Sequence, residues 1–200
     1  MEPCSTAIIV SMSFAAEEST SISCLARSSE KQDSRMYTKL FWIDGPWPGR
    51  LAVSARPRGG DWLDEEMKAW RRAGVDAVVS LLTPDEALDL GLETEREACQ
   101  TNGIEFFSLP IVDRGTPDSE ADVARLLTRI DLELRERKSV VIHCRQGIGR
   151  ASLISAALAV EMGMAPGEAF AAIGQARGIP VPETAGQLAW LDSFAAALKK

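Results

Sequence analysis

From about residue 37 onward, apolar and polar positions alternate in blocks with the periods of helices and strands. Leu63, Met67 and Trp70 recur at helical spacing in a segment that Asp61 is placed to cap and Gly74 ends. Val75 to Leu82 is a β-branched, apolar run of the kind that forms a buried parallel strand. Thr83-Pro84 supplies a cap and a first-turn proline for a short helix, and Glu93 to Thr101 predicts a second, ended by Asn102-Gly103. Ile104 to Leu109 reads as the next strand. Asp118 or Ser119 then caps a long helix to about Arg137, with Val123, Leu126, Leu127, Ile130 and Leu134 on its apolar face. Val140 to His143 is a short strand. Helices follow over Arg150 to Met162, Pro166 to about Arg177, and Glu183 to Leu198, the last with Leu188, Leu191, Phe194 and Leu198 facing inward. Ahead of all this, Ile43 to Arg58 is rich in Gly and Pro, with one strand candidate at Leu51 to Ser54. Strands alternating with helices predict an α/β fold with a mostly parallel central sheet flanked by helices.

Residues 1 to 35 are Ser-rich and carry neither period. They read as a disordered extension, or as sequence upstream of a start at Met36; residues 36–200 form one domain. The composition, 46% hydrophobic and 26% charged, is that of an ordinary globular chain. A net charge of -7 argues against nucleic acid as a partner, though local donors can still hold an anion. No apolar run reaches the roughly 18–20 residues that cross a bilayer. The weakly apolar stretch from Ala7 to Ala16 follows Glu2 and no Lys or Arg, unlike a secretory signal. Cys4, Cys24, Cys99 and Cys144 have no paired spacing, so neither a disulfide framework nor a zinc site is expected, and a reducing cytoplasm fits.

The chemistry is carried by Val140-Val141-Ile142-His143-Cys144-Arg145-Gln146-Gly147-Ile148-Gly149-Arg150. A strand ends in Cys144, five residues intervene, and Arg150 opens a helix. A cysteine attacks phosphorus as the thiolate, a form favoured by backbone N–H groups of a tight loop and by a helix N-terminus. The same N–H groups, over residues Arg145, Gln146, Gly147, Ile148 and Gly149, make a nest for phosphate oxygens. Gly147 and Gly149 allow unusual backbone angles and close approach. Arg150 offers a planar fork that grips two oxygens and offsets developing charge.

His-Cys-x5-Arg is the signature of the protein tyrosine phosphatase superfamily, and the region from about Tyr37 to the C-terminus resembles a dual-specificity-type phosphatase domain. The resemblance implies hydrolysis of phosphomonoesters, on phosphorylated protein or a small molecule, through a phosphocysteine and without metal or cofactor. Leu109-Pro110-Ile111-Val112-Asp113-Arg114-Gly115 looks like the general-acid loop of that group. Asp113 follows a strand whose carboxyl end would lie beside the Cys loop. Its other reading is a turn former before Gly115. Asp85, Asp118 and Glu120 are better explained as residues at helix starts. By resemblance, His143 is a buried residue that orients the Cys loop. Arg145 and Gln146 either touch substrate or are solvated rim residues. Gln187 either helps place the hydrolytic water or is a solvated helix position, the simpler account. Arg56 and Arg58 are candidates for added positive potential near the pocket.

One departure concerns Ala151, where the family usually carries Ser or Thr, whose hydroxyl eases departure of the thiolate. The phosphatases of regenerating liver also have Ala there. Two other readings stand beside the hydrolase: a phosphate-binding module with impaired turnover, and a rhodanese-like sulfurtransferase, which also uses a loop cysteine but fits the spacing less well.

Overall fold

In the computed structural model, which describes residues 37–198, five strands and seven helices alternate along the chain. The expected extension over residues 1–35 lies outside the described residues, as do Cys4 and Cys24. The strands are β1 (Leu40–Ile43), β2 (Arg50–Ala55), β3 (Ala77–Ser80), β4 (Glu105–Ser108) and β5 (Ser139–Cys144). The helices are α1 (Leu63–Arg72), α2 (Pro84–Asp89), α3 (Glu95–Thr101), α4 (Glu120–Arg135), α5 (Arg150–Glu161), α6 (Pro166–Arg177) and α7 (Ala185–Leu198). The strands form one sheet in the order β1-β2-β5-β3-β4; only the β1–β2 pair is antiparallel. The expected α/β fold with a mostly parallel sheet is therefore observed.

Strand alternation divides the sheet into two faces. Leu51, Val53, Val79, Val140, Ile142 and Cys144 point into a large core shared with α4, α5, α6 and α7. Ala52, Val78 and Val141 point the other way, to Leu63, Met67, Trp70 and Cys99. Register aligns Ala55 with Cys144 and Ser80 with His143, so the central strand ends at the carboxyl edge between two parallel neighbours. Helix α5 follows it and is buried along nearly its whole length. Its small residues let the backbone pack closely, and each buried Leu or Ile on it contributes roughly 1.5–3 kcal/mol. The rigidity of the motif rests on this burial at both ends of the loop.

Several expectations needed correction. Strand β1 was hidden by its Gly- and Pro-rich neighbourhood, yet Ile43 pairs with Leu51 and Leu40 with Ser54. Asp61 caps nothing: it sits inside a 3-10 turn over Gly60–Trp62, and α1 starts at Leu63. Ser119, not Asp118, caps α4, accepting from the Asp122 N–H at 3.2 Å. In α7 the buried face is Gln187, Leu191 and Ala195. Leu188 and Leu198 are exposed, and Phe194 is half-buried, stacked on Trp190 at 5.3 Å. That helix is apolar on several sides, so period alone does not select which side meets α5. No helix among the described residues is long and apolar enough to cross a membrane.

Candidate active site

Cys144 ends β5 and is 3% exposed. The loop turns back over it, so that the Gly147 N–H donates to Cys144 Sγ at 3.2 Å. Gly147 has φ +67, and a Cβ there would lie 2.3 Å from the Ser54 carbonyl oxygen. Only glycine combines that angle with that approach. Gly149 differs from expectation: its φ is -87, and what crowds it are the side chains of Gln187 and Glu183. No side chain caps α5, so its first N–H groups face the loop. Arg177, at the end of α6, clamps the loop from outside. Its Nε donates to the Gly147 carbonyl and its Nη2 to the Gln146 carbonyl, both at 3.0 Å, while its guanidinium lies 4.0 Å from the centre of the Phe41 ring.

Arg150 is 1% exposed, and its five N–H groups are nearly all spoken for. Nη1 donates to Glu86 Oε2 at 2.6 Å and the Ile111 carbonyl at 2.8 Å, with the Leu81 carbonyl at 3.4 Å. Nη2 donates to Glu86 Oε1 at 2.9 Å and Asp113 Oδ1 at 2.7 Å. Glu86 thus takes the end-on fork. The side fork is Nε and the second Nη2 proton; among the described residues Nε meets no acceptor and Nη2 is held by Asp113. Burial acts to raise the Glu86 carboxyl, but the Arg150 hydrogen bonds, the Thr83 N–H and the charges of Arg150 and Arg145 outweigh it and hold the group below its ordinary range.

Sequence reasoning missed Glu86, although its signal is present. Thr83 and Glu86 form a capping box, with the Glu86 N–H donating to Thr83 Oγ1 at 3.3 Å and the Thr83 N–H to Glu86 Oε2 at 3.2 Å. The box turns the carboxylate toward Arg150.

Asp113 lies in the loop after β4, half-exposed, beside Arg114 with φ +59. It lines a cavity of about 40 Å³ with Cys144, Arg145, Gln146, Gly149, Arg150 and Glu183. Arg145 and Gln146 are exposed on its rim. Glu183, another residue missed from sequence, has Arg114 Nε at 3.5 Å. Gln187 is fully buried rather than solvated: its Nε2 donates to the Gly115 carbonyl at 3.0 Å and its Oε1 accepts from the Glu183 N–H at 3.2 Å. It ties the Asp113 loop to α7 and to Glu183.

His143 faces the opposite side of the sheet from Cys144, fully buried. Its Nε2 is 2.8 Å from Glu95 Oε1, off the line of the ring N–H, and its ring meets Trp70 edge-on at 6.3 Å. Its carbonyl accepts from the Leu81 N–H at 3.1 Å, which ties the end of β5 to the segment carrying Glu86. Arg58 is not at the pocket: it pairs with buried Glu66 at 2.6 Å. Arg56 touches the loop only through its backbone, donating to the Arg145 carbonyl at 3.4 Å. Ala151 is fully buried in the core, and Ser152 Oγ meets no partner, the thiol included. Among the described residues, no three His, Cys, Asp or Glu side chains gather as metal ligands would.

Residues 39–191 match the family model described as a Swiss Army Knife protein, DSP-PTPase phosphatase domain. Human cyclin-dependent kinase inhibitor 3 is 26% identical over 132 residues, 65% of this chain and 60% of that protein. The crystal structure of kinase associated phosphatase with its catalytic cysteine changed to serine superposes with a TM-score of 0.72 at 20% identity, covering 81% of this chain and 96% of that one. The active form of Tk-PTP superposes at 0.63 with 28% identity, covering 78% and 96%. With the matched model spanning most of the chain, the protein belongs to the dual-specificity-type protein tyrosine phosphatases, hydrolases that cleave phosphoesters through a cysteine.

Proposed function

We propose that Cys144, Arg150 and Asp113 carry out a two-step hydrolysis of phosphomonoesters on phosphorylated protein, in a reducing compartment such as the cytoplasm. The observation that carries this reading is the side fork of Arg150, whose Nε meets no acceptor among the described residues and whose Nη2 is held on that side by the half-exposed Asp113 alone. A phosphate seated on the loop N–H groups takes Nε and displaces Asp113 from Nη2. The released carboxyl then sits beside the leaving oxygen, within reach to hand it a proton. The Cys144 thiolate attacks phosphorus, the P–O bond breaks, and the departing oxygen takes the proton from Asp113. Water then attacks phosphorus, giving its proton to Asp113 as the S–P bond breaks. Arg145 and Gln146, exposed on the rim, are placed to meet the chain around the phosphorylated residue. Cys99 and Cys144 are both free thiols, which suits a reducing location.

Hydrolysis of an aryl phosphate by the wild type and by Cys144→Ser, with circular dichroism on both, tests the nucleophile. The serine variant should fold and be inactive, since Ser is a poor nucleophile without a base beside it. Retained activity would refute the assignment. A screen of phosphopeptides, phosphosugars, nucleotides and inositol phosphates tests the substrate class, and a preference for any of the last three overturns the protein reading.

A further inference from the structure

Strand β4 ends the sheet, pairing with β3 alone. The Glu105 and Leu109 N–H groups donate inward, to the carbonyls of Asp76 and Ser80 at 2.9 and 3.0 Å. Alternate residues of a parallel ladder face opposite ways, so Phe106 and Ser108 turn their N–H and C=O groups to the open edge. An unpaired edge is a template for another strand and is usually blocked. Here it borders a groove of about 550 Å³ between β4, α3 and α4. Arg96 and Arg129 flank that groove. Arg96 lies 4.9 Å from the centre of the Phe106 ring and donates to the Phe106 carbonyl at 3.5 Å, on the open side. Arg129 lies 5.4 Å from the centre of the Phe107 ring. Among the described residues neither meets a carboxylate, whereas Arg125 between them is paired with Asp122. In a chain with net charge -7, two such guanidiniums without a carboxylate, beside a strand edge whose Phe106 carbonyl meets only Arg96, make a local cationic strip.

We infer that this edge docks an extended acidic segment of the phosphoprotein substrate, added to the sheet as a sixth strand; the substrate part of this rests on the function proposed above. Four residues of strand give about 13 Å of pairing. Backbone bonds to Phe106 and Ser108 supply affinity, and side chains on alternate positions reach the arginines. Charge complementarity selects acidic residues. The strand that borders the groove also runs, along the chain, toward the catalytic centre. The groove lining ends at Leu109 and Pro110, and the chain goes on to Ile111, whose carbonyl holds Arg150, and then to Asp113. A segment lying on β4 therefore pairs with the strand that leads into the Asp113 loop.

The test uses the full chain carrying Cys144→Ser and a fluorescent Glu-rich peptide without phosphate, read by anisotropy. The peptide should bind, a Lys-rich peptide should not, and high salt should weaken binding. Arg96→Glu/Arg129→Glu should weaken it about fivefold or more. Ser108→Pro should weaken it as well, because it removes an outward N–H and leaves the β3 bonds intact. With Cys144 present, the charge-reversed variant should raise KM for a phosphopeptide bearing the acidic segment. Its kcat, and its hydrolysis of nitrophenyl phosphate, should match the wild type. Equal binding by variants and parent, or no binding at all, overturns the docking site. Concentration-dependent self-association abolished by Ser108→Pro would overturn it too, by making a second copy the occupant. Failure of the wild type to hydrolyse nitrophenyl phosphate would sink the phosphatase reading while leaving the peptide-binding result to stand alone.

Discussion

Replacing Asp113 with Asn should make the site bind inorganic phosphate more tightly while it catalyses worse. The two effects have separate causes in the geometry. Asp113 Oδ1 occupies the Nη2 corner of the Arg150 side fork at 2.7 Å. Phosphate must displace it. Arg150 is buried, but Asp113 is 52% exposed, so the pair is screened on one side and is worth about 1 kcal/mol. Asparagine keeps the shape and loses the charge. Removing that competing interaction is worth about fivefold in affinity. Loss of a carboxylate facing an incoming dianion acts in the same direction. The assay is the inhibition constant of inorganic phosphate for wild type and variant. Turnover should fall further for alkyl than for nitrophenyl phosphates, because a proton donor matters most when the departing oxygen is basic. Unchanged or weaker phosphate binding would refute the competition for Nη2. Equal losses on both leaving groups would show that Asp113 is not the acid.

Arg150→Lys should be severe in both KM and kcat on nitrophenyl phosphate, since a point charge cannot hold Glu86 by one fork and phosphate by the other. Glu86→Gln should destabilise the fold by about 2 kcal/mol at neutral pH, as measured by denaturant melts. The Glu86 carboxyl is held below its ordinary value, so its contribution is full above the glutamate range and is lost as pH falls through the lower folded value; the gap between variant and wild type should close in acid. Gly147→Ala should abolish most activity and cost more than about 2 kcal/mol, because φ +67 and the Ser54 carbonyl both reject a Cβ. Ala151→Ser should raise steady-state turnover and shrink any burst in rapid-mixing kinetics, because no hydroxyl reaches the thiol in the wild type: Ser152 Oγ is buried and unpartnered.

Local signals made much of this legible in the sequence. The α4 stripe is buried as its period requires, and Thr83-Pro84 does start α2. The strand–Cys–loop–Arg–helix order placed Cys144 at the end of β5 and Arg150 at the start of α5. Contacts across long sequence distances were not legible. Glu86 and Arg150 are 64 residues apart, and Gln187 and Gly115 are 72 apart. A buried glutamine and a solvated one look alike in a helix whose apolar residues lie on several sides. Arg177 ends its helix where a basic residue is ordinary, and nothing local says that its fork reaches the loop carbonyls. Buried Glu66 and Glu95 were invisible for the same reason, since their partners Arg58 and His143 are brought to them by α1 and α3.

The charge arrangement explains how an acidic chain with 29 Asp and Glu against 22 Lys and Arg builds an anion site. The cations around Cys144 are mostly committed. Arg150 is held end-on by Glu86, Arg177 by loop carbonyls, and Arg114 leans on Glu183. What remains for phosphate is largely uncharged and directional: loop N–H groups, the start of α5, and one side of the Arg150 fork. Such donors select a tetrahedral set of oxygens by geometry and lose little to salt. Glu183 on the cavity wall adds a second filter. A carboxylate there is tolerated by a single phosphate that gains the loop N–H groups, but it opposes further anionic groups on the adjacent atoms of the substrate. The free cationic strip lies elsewhere, along β4, where Arg96 and Arg129 face the open edge. Under the docking proposed above, negative charge that Glu183 opposes next to the phosphate would meet these arginines instead, and the pocket and the groove would read different parts of one substrate.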